Sequence, residues 1–274
     1  MKMHVLDLGQ LTLDRNLMIG GANVATKSNP CAPNELIDIP VSSYCIEHPE
    51  GNILFDLGCN PRAMGPDGRW PTFLQELCPY RGGEECELPN RLAQLGLAPD
   101  DIRYAVLSHL HNDHAGCVEY FKKTTLIVHE DEFSGALRNF GLRKQQTPYV
   151  LSDIESWTKQ DLNWHLLSRD ISEVMLADGV EILNLGAGHA YGMLALHVQL
   201  RGEGSIILAS DAIYQSGNYG PPVQMPGVVY DSLGAQRTIE RVRALAHRHK
   251  AQVWFGHDPE QFATLRKSPH EWYE

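Results

Sequence analysis

Short apolar runs recur along this chain and predict a protein rich in β-strand. In the first half, the runs cover residues 3–8, 37–46, 52–56, 104–107 and 125–129. In the second half, they cover residues 181–185, 195–200, 205–210 and 252–255. Some of these runs, such as 205–210, are almost wholly apolar, which is typical of strands that are buried on both faces.

Apolar residues spaced by three or four positions predict helices between these strands. The spacing occurs in three groups: Leu88, Leu92 and Leu95; Phe133, Leu137 and Phe140; and Ile239, Val242, Leu245 and Ala246. Strands occur in both halves with helices among them, and no linker of low complexity divides the chain. The pattern indicates an α/β fold. We expect a single domain over residues 1–274 with an irregular loop at about residues 60–89.

Potential metal ligands are concentrated where predicted strands end. The segment after residues 104–107 contains four of them: His109, His111, Asp113 and His114. Three later strands are each followed by another: His189, Asp211 and His257. Imidazole nitrogens and carboxylate oxygens are the ligands of hydrolytic zinc sites, whereas thiolates favour closed structural sites. The pattern therefore predicts a catalytic metal site rather than a solvated polar turn.

The order of these residues resembles the metallo-β-lactamase superfamily and, within it, the N-acyl-homoserine lactonases. The resemblance is carried by SHLHNDHAG at residues 108–116, DAIY at 211–214 and FGHD at 255–258. The segments IPV at residues 39–41 and ILFDLG at 53–58 fit the same branch. The resemblance implies an αββα sandwich. Periodicity alone does not distinguish this architecture from other α/β folds.

The resemblance also implies a site for two divalent metal ions per chain, with zinc favoured and iron, cobalt or manganese as alternatives. The first ion would be held by His109, His111 and His189. The second would be held by Asp113, His114 and His257, with Asp211 as a bridge between the two. The chain departs from the usual pattern at Met193, which stands where these enzymes carry a second histidine after His189.

The implied reaction is the opening of an N-acyl-homoserine lactone ring by a metal-bridging hydroxide, which would quench quorum signalling. Tyr214 would hydrogen-bond the substrate near the reacting carbonyl, and Asp113 would shuttle a proton. Two other enzymes are alternatives on this frame: a lactone or ester hydrolase like pyridoxolactonase, and an iron-dependent persulfide dioxygenase. A thioesterase like glyoxalase II and a non-catalytic metal-stabilised binding protein are weaker alternatives.

The net charge and the distribution of apolar residues argue against nucleic acid and membranes as binding partners. The formal net charge of −11 argues against nucleic acid but not against a neutral lactone. No run reaches the roughly 20 apolar residues of a membrane span, and residues 1–7 lack the apolar core of a signal peptide. We therefore expect a cytoplasmic protein with reduced cysteines. A zinc or disulfide pair of Cys78 and Cys86 is the alternative.

Several residues outside the ligand set have a second candidate role. Leu17, Met18 and Ile19 are candidates for an acyl-chain groove, although such residues are also typical of a core. Asp56 and Asn184 are candidates to orient the ligating histidines.

The irregular loop at about residues 60–89 has two possible interpretations, and the remaining histidines have one. The loop either packs against a second copy, giving a homodimer as in the resembling enzymes, or is a surface excursion. The other histidines, including His247 and His249 near the end of a predicted helix, are expected to be surface or hydrogen-bonded residues.

Overall fold

Two β-sheets form the centre of the molecule in the computed structural model, which describes residues 1–274. The first sheet contains seven strands: β1 (Lys2–Asp14), β2 (Leu36–Glu47), β3 (Asn52–Phe55), β4 (Tyr80–Arg81), β5 (Ile102–Val106), β6 (Thr125–His129) and β7 (Asn163–Leu167). The second contains five: β8 (Glu173–Ala177), β9 (Val180–Gly186), β10 (Met193–Leu200), β11 (Gly204–Ser210) and β12 (Gln252–Phe255). The strand orders are β4-β1-β2-β3-β5-β6-β7 and β12-β11-β10-β9-β8.

Eight helices lie around the two sheets. They are α1 (Arg15–Met18), α2 (Thr72–Leu77), α3 (Leu88–Gln94), α4 (Glu130–Gly141), α5 (Leu151–Thr158), α6 (Ser216–Tyr219), α7 (Ser232–His249) and α8 (Pro259–Thr264). Three short 3₁₀ turns lie at Glu84–Cys86, Pro99–Asp101 and Val118–Tyr120. None of the helices combines the length and the apolar character that a membrane span requires.

Three apolar clusters hold these layers together. The central cluster lies between the sheets and contains Val5 and Phe55 from the first sheet with Leu196 from the second. A second cluster joins the outer face of the first sheet to α3, α4 and α5, and a third joins the outer face of the second sheet to α7. Each sheet is therefore buried on both faces, and the expected αββα sandwich is confirmed.

Strand β1 shows how the sequence assigns side chains to layers. Met3 and Val5 face the central cluster, whereas Leu6 and Leu8 face the outer one. The register shifts between Asp7 and Gln10, so the alternation is displaced by one residue and the next apolar residues, Leu11 and Leu13, return to the outer cluster. A bulge has this effect because side chains in a strand alternate with a period of two.

The ends of the central strands bring the predicted ligands to one edge of the sandwich. Strands β3 and β5 are parallel, as are β11 and β12. Parallel neighbours end on the same side of a sheet, so the segments that follow them lie close together. The loops after β5, β9, β11 and β12 carry the seven ligand candidates.

The sequence predicted the main elements but missed several weaker ones. Every predicted strand and helix is present, although β1 extends to Asp14. Strands β7 and β8 were missed because they lie at sheet edges and leave most of their side chains at least partly exposed. The segment expected as an irregular loop contains α2, β4 and the start of α3. All six cysteines are free, so Cys78 and Cys86 form no disulfide.

Candidate metal centre

Three histidines from two loops form the first half of the candidate centre. His109 and His111 follow β5, and His189 follows β9. His189 Nε2 lies 2.8 Å from His111 Nδ1 and 3.1 Å from His109 Nε2. All three side chains are buried. Three imidazole nitrogens thus converge on one point, as they would around a metal ion.

Asp113, His114 and His257 form the second half. Asp113 Oδ2 lies 3.4 Å from His257 Nε2 and 3.5 Å from His114 Nε2. These side chains are buried as well. One donor atom from each residue lies within 4.8 Å of the others, which is a spacing that a cation could close. The donor set contains two imidazoles and one carboxylate, the mixture found in hydrolytic metal sites.

Asp211 stands between the two halves. Its Oδ1 lies 3.0 Å from His257 Nε2 and 3.3 Å from His114 Nε2. Its Oδ2 lies 3.3 Å from His189 Nε2 and 3.8 Å from His109 Nε2. Because each oxygen faces a different half, this carboxylate has the geometry of a bridging ligand.

Unpaired polar atoms show that the centre suits cations. His114 Nε2 and Asp211 Oδ1 are buried and have no hydrogen-bond partner. Burying such atoms unpaired costs about 1–3 kcal/mol each, and a bound cation would satisfy them. The seven residues therefore fit two divalent metals in both donor chemistry and burial.

Hydrogen bonds on the outer side fix the orientation of four of the five histidines. His114 Nδ1 donates to Asp56 Oδ2 at 2.8 Å, and His257 Nδ1 donates to the Pro40 carbonyl at 2.8 Å. His109 Nδ1 lies 2.9 Å from Ser108 Oγ, and His189 Nδ1 lies 2.6 Å from the Tyr214 hydroxyl. In each case the remaining nitrogen, Nε2, faces the centre. Such partners set the tautomer and increase the basicity of a metal-binding imidazole.

Asp56 connects three loops around the second half. It accepts hydrogen bonds from the Ser108 amide at 2.7 Å, from Ser210 Oγ at 3.0 Å and from His114. Its φ of +62° is a left-handed conformation that is uncommon outside glycine. The expectation that Asp56 orients a histidine is confirmed. The same expectation is wrong for Asn184, whose amide instead donates to the Ser168 and Ile171 carbonyls.

Burial and charge pairing set the protonation of the centre. Burial keeps the pKa values of His109 and His111 well below the usual range, so their nitrogens stay free to bind metal. Burial also opposes the protonation of His114, but the carboxylates of Asp113 and Asp211 outweigh it and raise its pKa. For Asp211, burial favours the neutral acid, yet the surrounding histidines hold its pKa well below the usual range. The carboxylate is therefore charged.

Glu132 supports the centre and was not identified from the sequence. This buried residue of α4 accepts hydrogen bonds from the Leu110 amide at 2.9 Å, from the Tyr149 hydroxyl at 3.1 Å and from the Gly192 amide at 3.2 Å. Leu110 lies between two ligand candidates, and Gly192 lies in the loop after His189. Burial raises the pKa of Glu132 to about 7 despite these donors. Only its charge within an apolar helix face could have pointed to it in the sequence.

An apolar cavity of about 230 Å³ opens onto the centre. Its floor contains His111, Asp113, Asp211 and Tyr214. Its walls are mainly aliphatic and aromatic: Leu11, Leu13, Leu17, Met18, Ile39, Phe73, Leu74, Leu77 and Val228. Two of the three residues expected to line an acyl groove are present. Ile19 is the exception, because it lies outside the wall and its side chain packs near Gly217.

Tyr214 is buried at the junction of the cavity and the first half of the centre. Its hydroxyl lies 2.6 Å from His189 Nδ1 and 3.2 Å from the Val228 carbonyl. When His189 Nδ1 donates, the phenol proton is directed at Val228. Tyr214 thus contacts a ligand candidate and the cavity at once.

Comparisons with known proteins agree with this fold and site. Residues 36–147 match the model of the metallo-beta-lactamase superfamily. An N-acyl homoserine lactonase named AiiB from Agrobacterium fabrum is 50% identical over 273 residues, which cover 100% of this chain and 99% of that protein. An N-acyl homoserine lactonase from Bacillus thuringiensis is 29% identical, with 98% and 97% of the two chains covered.

A solved structure of a similar enzyme shares this fold. It is an N-acyl homoserine lactone hydrolase with the product N-hexanoyl-L-homoserine bound at its catalytic metal centre. It superimposes with a TM-score of 0.82 at 28% sequence identity and covers 99% of this chain and 98% of its own.

Proposed function

The chain belongs to the N-acyl homoserine lactonases of the metallo-beta-lactamase superfamily, and on that premise we propose that it hydrolyses N-acyl homoserine lactones and so quenches quorum signals. The observation that carries this proposal is the apolar cavity that ends on seven converging histidine and aspartate side chains. An acylated lactone has the matching shape, with an apolar tail and one reactive ester.

The proposed metal ligands are His109, His111 and His189 for one ion and Asp113, His114 and His257 for the other. Asp211 is the proposed bridge. Zinc is the proposed metal because the donors are imidazoles and carboxylates without thiolates. Bound there, two divalent cations would lower the pKa of water and polarise the lactone carbonyl.

Two side chains would assist the reaction, Asp113 by proton transfer and Tyr214 by hydrogen bonding to the substrate. Asp113 Oδ2 faces His114 and His257, which leaves Oδ1 free to carry a proton to the ring oxygen as the ester bond breaks. The Tyr214 hydroxyl would donate to the oxygen of the reacting carbonyl. This role requires its proton to turn away from Val228, 3.2 Å away. The product is the ring-opened N-acyl homoserine, formed by the addition of one water.

The walls of the cavity are the proposed site of the acyl chain. Each buried methylene contributes about 0.8 kcal/mol, so an apolar wall favours substrates with longer chains until the cavity is full. Phe73 and Leu77 of α2 lie at the rim with 38% and 41% of their surfaces exposed. These side chains would gain most from contact with a long chain.

Two further proposals concern location and assembly. Six free cysteines suit a reducing compartment, so we place the protein in the cytoplasm. A homodimer is proposed from the family resemblance, and light scattering on the purified protein would test it.

The lactonase proposal is tested with N-hexanoyl-homoserine lactone and mass spectrometry. We expect the wild-type protein to add one water to this substrate, and His257→Ala to lose most of the rate. His270→Ala is the matched control because His270 is exposed and belongs neither to the cavity lining nor to the ligand clusters. Faster turnover of pyridoxolactone, or oxygen uptake with a persulfide, would instead assign the protein to one of the alternative reactions.

A further inference from the structure

A second cluster of potential metal ligands lies on the outer face of the second sheet. It consists of Glu181 at the start of β9, His197 in β10 and His249 in the last turn of α7. One donor atom from each residue lies within 4.8 Å of the others. The strand β9 runs from this cluster toward His189, so the two sites lie roughly 20 Å apart along the sheet at about 3.3 Å per residue.

The fold fixes the positions of these side chains. Glu181 and His197 are cross-strand partners in the antiparallel ladder of β9 and β10. They share the sheet face with Leu183 and Ala195, which pack against α7. His249 comes from that helix, so the cluster joins two strands to the end of the helix above them.

The contacts within the cluster leave one buried nitrogen without a hydrogen-bond partner. His197 Nδ1 lies 3.4 Å from Glu181 Oε2, and the rings of His197 and His249 lie 4.2 Å apart between centroids. His249 Nε2 is buried and has no hydrogen-bond partner. Most buried polar atoms are hydrogen-bonded, so a cation beside this nitrogen would supply the partner that the protein does not provide.

Neighbouring residues prepare the histidines to bind a cation. His197 Nε2 lies 2.5 Å from Ser205 Oγ, which leaves Nδ1 directed at Glu181. Burial, together with the nearby His249, lowers the pKa of His197, so the ring is neutral near pH 7. A helix C-terminus also attracts positive charge, and His249 is the last residue of α7.

The Glu181 carboxylate is free to bind a cation because the nearby arginines pair with another residue. Glu173 on the adjacent strand β8 is paired with Arg248 at 3.2 Å and with Arg241 at 4.0 Å. Glu181 has no arginine or lysine within 4.0 Å, and His197 is its sole ion-pair partner. Its side chain is 17% exposed, so an ion could reach it from solvent.

We propose that Glu181, His197 and His249 form an additional divalent metal site, of the zinc class, that is separate from the catalytic centre. Two imidazoles and one carboxylate are a zinc donor set, and water would complete the coordination. The bound ion would tie the C-terminal end of α7 to the second sheet. Since the cluster is remote from the cavity, its effect is on stability rather than on the chemical step.

The test counts zinc bound to the holoenzyme. Protein already loaded at its catalytic centre is dialysed against micromolar zinc, and the metal is measured by elemental analysis. We expect one more zinc per chain in the wild type than in His249→Ala. His247→Ala is the matched control because His247 is exposed on the same helix, and it should bind as much zinc as the wild type.

A second variant separates metal binding from a packing effect of the mutation. Glu181→Gln keeps the size of the side chain but removes its charge, and it should also lose the extra zinc. The zinc-dependent rise in melting temperature should disappear in both variants, whereas the lactonase rate should stay at the wild-type value. Equal zinc content in the wild type, His249→Ala and Glu181→Gln would overturn the proposal, as would binding only at millimolar zinc.

Discussion

Asp211 faces the two halves of the candidate metal centre with different oxygens. Oδ1 lies 3.0 Å from His257 Nε2, and Oδ2 lies 3.3 Å from His189 Nε2. Asp211→Asn should therefore lower metal content at both positions, because an amide binds metal poorly. His257→Ala should empty mainly the second position. Elemental analysis checks both variants, with the exposed Asp161→Asn as the control. Wild-type metal content in Asp211→Asn would remove this residue from the site.

Tyr214 has two proposed roles, donation to the substrate and support of His189, and its phenylalanine variant can separate them. If the hydroxyl donates to the developing oxyanion, Tyr214→Phe should lower the lactone turnover number about tenfold to several-hundredfold. Metal content should then stay near the wild-type value. The second role is to hold His189, whose Nδ1 lies 2.6 Å from the hydroxyl. A loss of metal would show that the phenol acts by holding His189, and an unchanged rate would contradict both roles.

At the scale of elements, the loop after β5, which carries four ligand candidates, lies in close contact with the loop after β3. The Gly116 amide donates to the Gly58 carbonyl at 2.7 Å. A Cβ at Gly116 would overlap Asn60 N and would lie 2.5 Å from the Cys59 carbonyl carbon. These are backbone atoms, which cannot rotate away as a side chain could.

Gly116→Ala should therefore destabilise the protein by about 1–3 kcal/mol and lower its metal content. Urea unfolding and elemental analysis measure the two effects. Gly141→Ala at the end of α4 is the matched control, because nothing lies within 4 Å of the added Cβ there. Equal stability of the two variants would show that the loops can separate without cost.

Helix α2 contributes to the wall of the cavity from a segment that the sequence presented only as irregular. Phe73→Ser should weaken the binding of a decanoyl lactone several-fold through the loss of about 1 kcal/mol of apolar contact. A butanoyl lactone should be affected less, because its chain ends before the rim. Values of kcat/KM for both substrates test this, with exposed Leu166→Ser on β7 as the control. An equal loss for both substrates would place the acyl chain elsewhere.

At the scale of the whole molecule, Glu132 links the two sheets through the Leu110 and Gly192 amides. Burial raises its pKa from 4.5 to about 7, so the folded state holds a proton that the unfolded chain has already released. The stability that Glu132 contributes is therefore present below about pH 4.5 and falls as pH rises to about 7, by roughly 3 kcal/mol in total.

Glu132→Gln should remove this part of the pH dependence. The stability of the wild-type holoenzyme relative to the variant should decrease between about pH 5 and about pH 8. Urea unfolding of both proteins at the two pH values measures the difference. Parallel stability profiles would show that Glu132 is already charged at the lower pH.

The sequence by itself determined the elements with strong periodicity and the chemistry of the candidate ligands. Continuous apolar runs predicted β6 and β12 at their observed bounds. The run His109 to His114 was recognisable because four donors within six positions are a local feature. The roles of these residues as ligands stay predictions, although the structure brings all seven together.

Only the tertiary structure decided which residues support the centre. Glu132 meets Gly192 across 60 positions, and Asp56 meets Ser210 across 154 positions. Asn184, the other residue that the sequence offered for this role, donates to the Ser168 carbonyl instead. The pairing of Glu181 and His197 with His249 was likewise absent from any local pattern. The physical reason is that periodicity reports which face of a strand or helix is buried, whereas hydrogen bonds and cavities depend on which distant segments pack against that face.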